Sequence, residues 1–552
     1  MAFMDAIEER INAMVDRLQA ICASYGLANQ AAEELIIMNI FLYKFLNDRF
    51  IAVFNRFAAD RGEIKDQIFK NDGRMMNAFS DAYPGVLALE YEDTIDDLSK
   101  HLLEDDFADR VQKTLNRISD YARQKGWSVI SAGGKEDTLF DDIVSVIQMD
   151  QRNAFMRQIF WGISTEMFDF SMMDEVGYAF DYYSSIFERM VGKYSSDSGV
   201  YAEYYTPLSI SKMISRCLVG MASVTENVEI YDPASGTGTL VLQLANELHE
   251  KDMMVAEIYA QDISVKAARL LRLNLVLHGM MDGKCHIAQA DTLLHPAFCE
   301  RENETFSQLK RFDYIVANPP FKMDFSTERD QIETRWNGTD RFFAGISKVP
   351  LKKKNGMASY TLFLQHVIYS LKADGKAAVV VPAGFLTAKM NIEKKIRQRL
   401  VDQRLLRGVI LLPPQLFSNT GTNVAIIFID KAHENKDIVL IDASSLGEVI
   451  KVSGRRKRTL SDQDIEMIVS AFIHKKDMND FSTIVPSKEI AENNYILSAG
   501  RYFYQNDQGI QMDQNTFLGL MDSHQRRLNQ LYEEGHQLED AIKKMLEDLK
   551  NE

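Results

Sequence analysis

Val228-Glu229-Ile230-Tyr231-Asp232-Pro233-Ala234-Ser235-Gly236-Thr237-Gly238-Thr239, followed by the leucine-rich run Leu240–Leu248, decides the fold class. A short β-prone run ends in an acid, a glycine turn follows, and apolar residues then recur at helical spacing. This is a strand–loop–helix unit. Glycines let the backbone of the turn lie close to a ligand. The first turn of the helix offers unpaired N–H groups to a carboxylate or phosphate. No Gly-Lys-Ser/Thr follows, so the turn is not a Walker loop, and it lacks the full Gly-x-Gly-x-x-Gly of dinucleotide-binding folds.

The same alternation continues outward. Apolar runs at Glu257–Gln261, Lys284–Gln289, Phe312–Ala317, Lys376–Val381, Leu406–Leu412 and Val424–Ile429 alternate with helical segments. That pattern predicts an α/β domain with a mostly parallel, Rossmann-like sheet. Asp232, Asp262, Asp291 and Asn318 close successive runs at intervals of 30, 29 and 27 residues. Each interval is about one strand–helix unit, roughly 30 residues. The four side chains are therefore expected along the carboxyl edge of one sheet, where open α/β sheets bind ligands. Asp262 has two readings: an acceptor for both hydroxyls of a ribose, or a cap for the helix that begins near Ser264.

The flanks read differently. Residues 1–165 carry helical periodicity (Ile11, Met14, Val15, Leu18; then Leu35, Met38, Leu42, Phe45) and no catalytic constellation, which predicts an α-helical N-terminal domain. Ser195-Ser196-Asp197-Ser198-Gly199 is a turn-rich linker within the lead-in to the α/β region, taken as residues 166–480. Residues 481–552 end in a long helix. There Met521, His524, Leu528, Leu531, Gly535, Leu538, Ile542, Met545 and Leu549 alternate by three and four. This is a heptad seam suited to a partner helix or to packing on the protein's own surface.

Composition narrows the class. With 46% apolar and 26% charged residues the chain is neither disordered nor low-complexity, and 552 residues exceed one core. The longest apolar runs are strand-sized, well short of a membrane helix. Cys22, Cys217, Cys285 and Cys299 show no Cys-x-x-Cys spacing. Buried thiols of a cytoplasmic protein are expected, with no metal site and no disulfide framework. The formal charge of −16 argues against nucleic-acid binding through a global basic field. Basic surface is local: Lys352–Lys354, Arg455–Arg458, and Lys389, Lys394, Lys395, Arg397 and Arg399.

The most specific motif is Asn318-Pro319-Pro320-Phe321, directly after the run Asp313–Ala317. The prolines lock the backbone and fix the direction of a neighbouring carbonyl. The Asn oxygen and that carbonyl can then both accept from one NH2 group, with Phe321 as a flat face for a ring. The site suits a planar amine.

Asn318–Phe321 with the upstream Asp232–Thr239 motif resembles the amino-methylating DNA methyltransferases that use S-adenosylmethionine. Glu203-Tyr204-Tyr205-Thr206-Pro207-Leu208 is similar to the cofactor-contacting segment in the modification subunit of type I restriction–modification systems. The resemblance spans most of the chain and is strongest between 200 and 430. Ser235 and Thr239 are small substitutes within the glycine motif, and Leu208 stands where a basic residue is common.

The resemblance implies a cofactor site made of Glu203–Leu208, Asp232 and Ser235–Thr239. Asp262 would take the ribose hydroxyls, and Asp291 would lie near the adenine amino group. It implies that Asn318 and Pro319 grip the amino group of an adenine flipped from double-stranded DNA, with Phe321 stacked on it. The expected partner is a specificity subunit, with two copies of this chain for each, with or without a restriction nuclease subunit. Two other readings stand beside this one: a methyltransferase for protein glutamine side chains, and a catalytically idle scaffold in a defence complex.

Overall fold

A computed structural model of the chain describes residues 2–28, 31–61, 73–127, 129–131, 136–168, 183–187, 206–221, 227–281, 284–303, 306–389, 391–417, 423–432, 437–452, 455–503 and 514–551. They form two compact units, Met1–Arg501 and Tyr502–Glu552.

The first unit begins with helices α1 (Ala2–Ser24), α2 (Ala31–Ala59), α3 (Gly73–Ala82), α4 (Ile95–Lys100) and α5 (Phe107–Gln124). Strands β1 (Val129–Ser131) and β2 (Glu136–Asp137) and helix α6 (Arg152–Ser164) follow. α2 is buried around most of its circumference, which explains its apolar character on every face. Two of its buried charges, Lys44 and Asp48, pair at 2.8 Å.

The α/β region starts at α7 (Leu208–Gly220) and runs through β3 (Val228–Asp232), α8 (Thr239–Glu250), β4 (Val255–Asp262), α9 (Val265–Leu277) and β5 (Cys285–Gln289). A small hairpin, β6 (Cys299–Asn303) and β7 (Phe306–Leu309), precedes β8 (Phe312–Ala317). Then come α10 (Arg329–Trp336), α11 (Tyr360–Ser370), β9 (Leu371–Pro382), α12 (Asn391–Asp402), β10 (Leu406–Leu411), β11 (Val424–Asp430) and β12 (Asp437–Asp442). The unit closes with the hairpin β13 (Glu448–Val452) and β14 (Arg455–Thr459), α13 (Asp462–Ile473), β15 (Ser482–Pro486) and α14 (Ser487–Glu492).

The main sheet has the order β15-β12-β10-β11-β9-β8-β3-β4-β5-β1-β2. Pairings β9-β8, β8-β3, β3-β4 and β4-β5 are parallel, and β11 lies antiparallel between β9 and β10. Every residue of β11 is buried, as in a strand covered on both faces. The chain steps one way along the sheet from β3 to β5 and the other way from β8 to β9. The reversal lies between β3 and β8, the switch point at which such sheets open a crevice.

The seven expected strands are all present. Eight strands among the described residues were not expected: the small hairpins β6–β7 and β13–β14, and four strands of the main sheet. β12 and β15 extend one edge, and β15 continues the sheet past residue 480. β1 and β2 come from the N-terminal region, which is therefore not purely helical, and β1 pairs parallel with β5.

The second unit contains α15 (Gln514–Asn551), a single helix of 38 residues. Along it Met521, Leu528, Leu531, Leu538, Ile542 and Met545 are each at least half exposed. No helix among the described residues is long and apolar enough to cross a membrane.

Candidate active site

A cavity of about 250 Å³ opens at the carboxyl ends of β3, β4, β5 and β8. It unites most of the residues singled out from sequence: Thr206, Asp232, Ser235, Gly236, Thr237, Thr239, Asp262, Asp291, Asn318 and Pro320. Pro207, Leu208, Gly238, Pro319 and Phe321 do not line it. Pro207 and Leu208 instead start α7. Glu203, Tyr204 and Tyr205 lie outside the described residues.

The glycine loop is shaped by two backbones of positive φ, Gly236 at 52° and Gly238 at 80°. At Gly238 the reason is packing. A Cβ there would stand 2.2 Å from Leu271 Cδ1, so glycine lets α8 and α9 come together. Gly236 meets a carboxylate: its N–H donates to Asp262 Oδ2 at 2.9 Å, while Ser264 N–H donates to Asp262 Oδ1 at 2.8 Å. Ser264, not Asp262, caps α9, with its side chain accepting from Ala267 N–H. Asp262 thus braces the glycine loop while lining the cavity.

Two buried carboxyls share this wall. Burial pushes Asp262 up from the ordinary carboxylate range, against the backbone N–H bonds it accepts. Asp232 is pushed up to about 8, chiefly by burial and further by the charge of Asp262, against one bond from Ala234 N–H. A carboxyl whose folded pKa exceeds its unfolded value of about 4 stabilises the fold fully below that value. The contribution is lost as pH rises toward the folded pKa. Asp232→Asn keeps the shape and an acceptor for Ala234. The variant should match the parent at pH 4 and melt several degrees higher at pH 8. A melting series across that range checks this, and equal melting temperatures at pH 8 would remove the buried-charge account.

Asn318 follows β8, and its Nδ2 donates to Thr206 Oγ1 at 3.1 Å. Its Oδ1 is left to accept elsewhere. The Pro320 carbonyl accepts from Ser359 Oγ at 2.5 Å, so the proline turn is held from α11's N-terminal side. Phe321 packs edge-on against Tyr360, centroids 6.5 Å apart, and Tyr360 packs edge-on against Phe385. An aromatic wall therefore stands beside the cavity rather than in it.

Sequence reasoning missed several contributors. Ile263 and Phe363 supply apolar cavity wall. Gln261, fully buried, donates to the carbonyls of Ala290 and His295 and accepts from Ala297 N–H, which fastens the turn after Asp291. Thr292 Oγ1 ties that turn to the Pro233 carbonyl at 2.6 Å. Only the helical continuation after Asp262 hinted at Ser264; nothing local pointed to the rest. Two of the basic residues are structural. Arg397 is buried and donates to the carbonyls of Tyr495, Phe385 and Ala388, and Arg399 pairs with Asp340.

A ligand carrying positive charge and hydroxyls suits this cavity. Its wall holds the three carboxyls of Asp232, Asp262 and Asp291, and Ser235 Oγ is buried without a partner among the described residues. These groups match the ammonium, sulfonium and ribose of S-adenosylmethionine.

The N-6 DNA Methylase family matches residues 179–509. The chain is similar to the methylase subunit of the type I restriction enzyme MpnII of Mycoplasma pneumoniae, at 26% identity over 99% of this chain and 96% of the relative. It is also similar to the MjaIX methylase subunit of Methanocaldococcus jannaschii, at 29% identity over 67% of this chain and 63% of the relative. Among solved structures, the type I methyltransferase subunit of Streptococcus thermophilus superposes with a TM-score of 0.66 at 20% identity. It covers 90% of this chain and 99% of that one, a likeness of fold.

Proposed function

The chain belongs to the N-6 DNA methylase family and is a DNA methyltransferase, and on that footing we propose that it methylates the exocyclic amino group of a flipped adenine as catalytic subunit of a type I restriction–modification complex. The observation that carries this reading is the placement of Asn318 and Pro320 on the rim of an acid-walled cavity at the sheet's switch point.

S-adenosylmethionine supplies an electrophilic methyl group on a positive sulfur. Asp262 accepts the ribose hydroxyls, Asp291 faces the adenine amino group, and Asp232, Ser235–Thr239 and the 203–208 segment enclose the remainder. Asn318 Oδ1 and the Pro319 carbonyl accept from the target amine. Those two bonds draw its lone pair out of ring conjugation and aim it at the methyl group. Phe321, supported by Tyr360, stacks on the flipped base. Proximity and electrostatic placement account for the rate, and no covalent enzyme intermediate is needed.

Partners follow from the same reading. The mostly helical N-terminal region lends β1 and β2 to the methyltransferase sheet, which runs on to β15, and the last helix of the chain offers its seam to a specificity subunit. Two copies of this chain serve each specificity subunit in the cytoplasm, with or without a nuclease subunit. Duplex DNA meets local basic surface.

The test is a modified-base readout of DNA from a methylation-deficient host expressing this chain with its neighbouring genes, or the chain alone. N6-methyladenine in one defined motif, only with the full set, is the expected result. Methylation by the chain alone would move recognition into this sequence. No modified base, with expression verified, would overturn the reading and turn attention to protein substrates or a scaffold.

A further inference from the structure

The charged stretch between Phe321 and α11 contains a side chain that the chemistry above does not use. Arg341 is fully buried, yet no carboxylate among the described residues pairs with it. Its Nη1 and Nη2 donate to the carbonyls of Leu293 and Thr292 at 3.0 and 2.7 Å, and its Nε donates to His366 Nδ1 at 3.2 Å. Trp336 and Phe342 lie against the guanidinium, 4.1 and 4.8 Å from it.

The two carbonyls belong to a particular turn. Asp291 Oδ1 accepts from the N–H groups of Leu293 and Leu294 at 2.8 and 3.2 Å. The peptide units after Asp291 are thus held on one side by its own carboxylate and on the other by Arg341. A fixed fork with several donors suits this task in a way that a point-charge ammonium does not. Arg335, on the same stretch, reaches His295 Nδ1 at 3.1 Å and braces the turn further along. His366 is the acceptor end of the network. Burial and the neighbouring Arg341 hold it well below its ordinary pKa, so it stays neutral, and its Nε2 faces the Tyr231 hydroxyl at 3.3 Å.

We propose that Arg341 is a positioning residue that sets the Asp291 carboxylate for the exocyclic amino group of the cofactor's adenine, so that the stretch after the Asn-Pro-Pro-Phe motif acts as a clamp on cofactor selection. The inference rests on the cofactor reading of the cavity. A cation confined to core packing would hold the fold together without regard to which purine occupies the site. A cation that orients Asp291 governs the preference for an amino-bearing ring.

The experiment measures binding of S-adenosylhomocysteine and of its 6-deamino analogue to the full-length protein by calorimetry. The parent should prefer the amino-bearing ligand by roughly 10–100-fold, the range of one hydrogen bond to a charged group. Arg341→Met should reduce that preference to within about threefold and change affinity for the 6-deamino ligand little. Asp291→Ala should do the same, and the double variant should lose no more than either single, because the residues act as one unit. Arg341→Lys retains one donor and should fall between; it carries the test if Arg341→Met does not fold, as judged by circular dichroism and a cooperative melt. A folded Arg341 variant with the parent's full preference would overturn the proposal. A parent that does not bind, or an Asp291→Ala variant with undiminished preference, would instead bring down the reading of the cavity itself, and the role of Arg341 with it.

Discussion

An Asn318→Ala enzyme is expected to bind S-adenosylhomocysteine within about threefold of the parent and to transfer methyl groups on the order of 10²–10³-fold more slowly, the loss typical when one preorganised polar partner of a transition state is removed. The reasoning starts from a carboxamide whose two ends differ only in their partners. Nδ2 donates to Thr206 Oγ1, which leaves Oδ1 as the acceptor for an incoming amine. As that nitrogen gains positive charge its N–H groups become stronger donors. The bond to Oδ1 therefore strengthens toward the transition state, and its loss falls on kcat rather than KM. The Pro319 carbonyl remains and sustains a residual rate. Thr206→Val keeps the shape but frees the amide to rotate, so its kcat should lie between those of the parent and Asn318→Ala. Single-turnover methylation with the assembled complex and duplex DNA reads these rates. Near-parental transfer by Asn318→Ala would end the proposed role of this residue.

The strands that carry the site were legible because each combines a β-prone apolar run with a polar residue at its carboxyl end, and that signal is local. β3, β4, β5 and β8 were found this way, and the spacing of their terminal residues placed four side chains on one sheet edge. β1 and β2 have three and two residues, too short for any periodicity. β15 ends in Pro486, a breaker that hides an edge strand. The loop glycines were legible as a turn, but not that Gly238 answers to Leu271 on another helix. Arg341, Gln261 and Ser359 escaped for a common reason. Each acts through carbonyls brought near by the chain's return, and no composition or period marks a side chain by the backbone it will meet. Thr206 lines the cavity as expected of it, and its further contact with Asn318, 112 residues away, has no local signal.

Asp262→Ala is expected to weaken the adenosyl cofactor by roughly 10²–10³-fold, on the scale of two hydrogen bonds to a charged group at about 1.5–3 kcal/mol each, less the relief of freeing a buried carboxyl. Two routes lead to such a loss. In the direct route, the lone pairs not used by Gly236 and Ser264 accept the ribose hydroxyls. In the indirect route, the orphaned Gly236 N–H lets the glycine loop shift, and the ligand loses contacts there instead. A 2′,3′-dideoxy analogue of S-adenosylhomocysteine separates them. Under the direct route the parent loses about as much affinity for this analogue as Asp262→Ala loses for the natural ligand, and the variant binds both ligands alike. Under the indirect route the variant binds the dideoxy ligand more weakly than the parent does. Asp262→Asn sharpens the contrast, since a carboxamide retains one acceptor for Ser264 but turns an N–H toward the N–H of Gly236. The loop should suffer in that variant as it does in Asp262→Ala. A parent indifferent to removal of the hydroxyls would end the ribose assignment and leave Asp262 as a brace for the glycine loop.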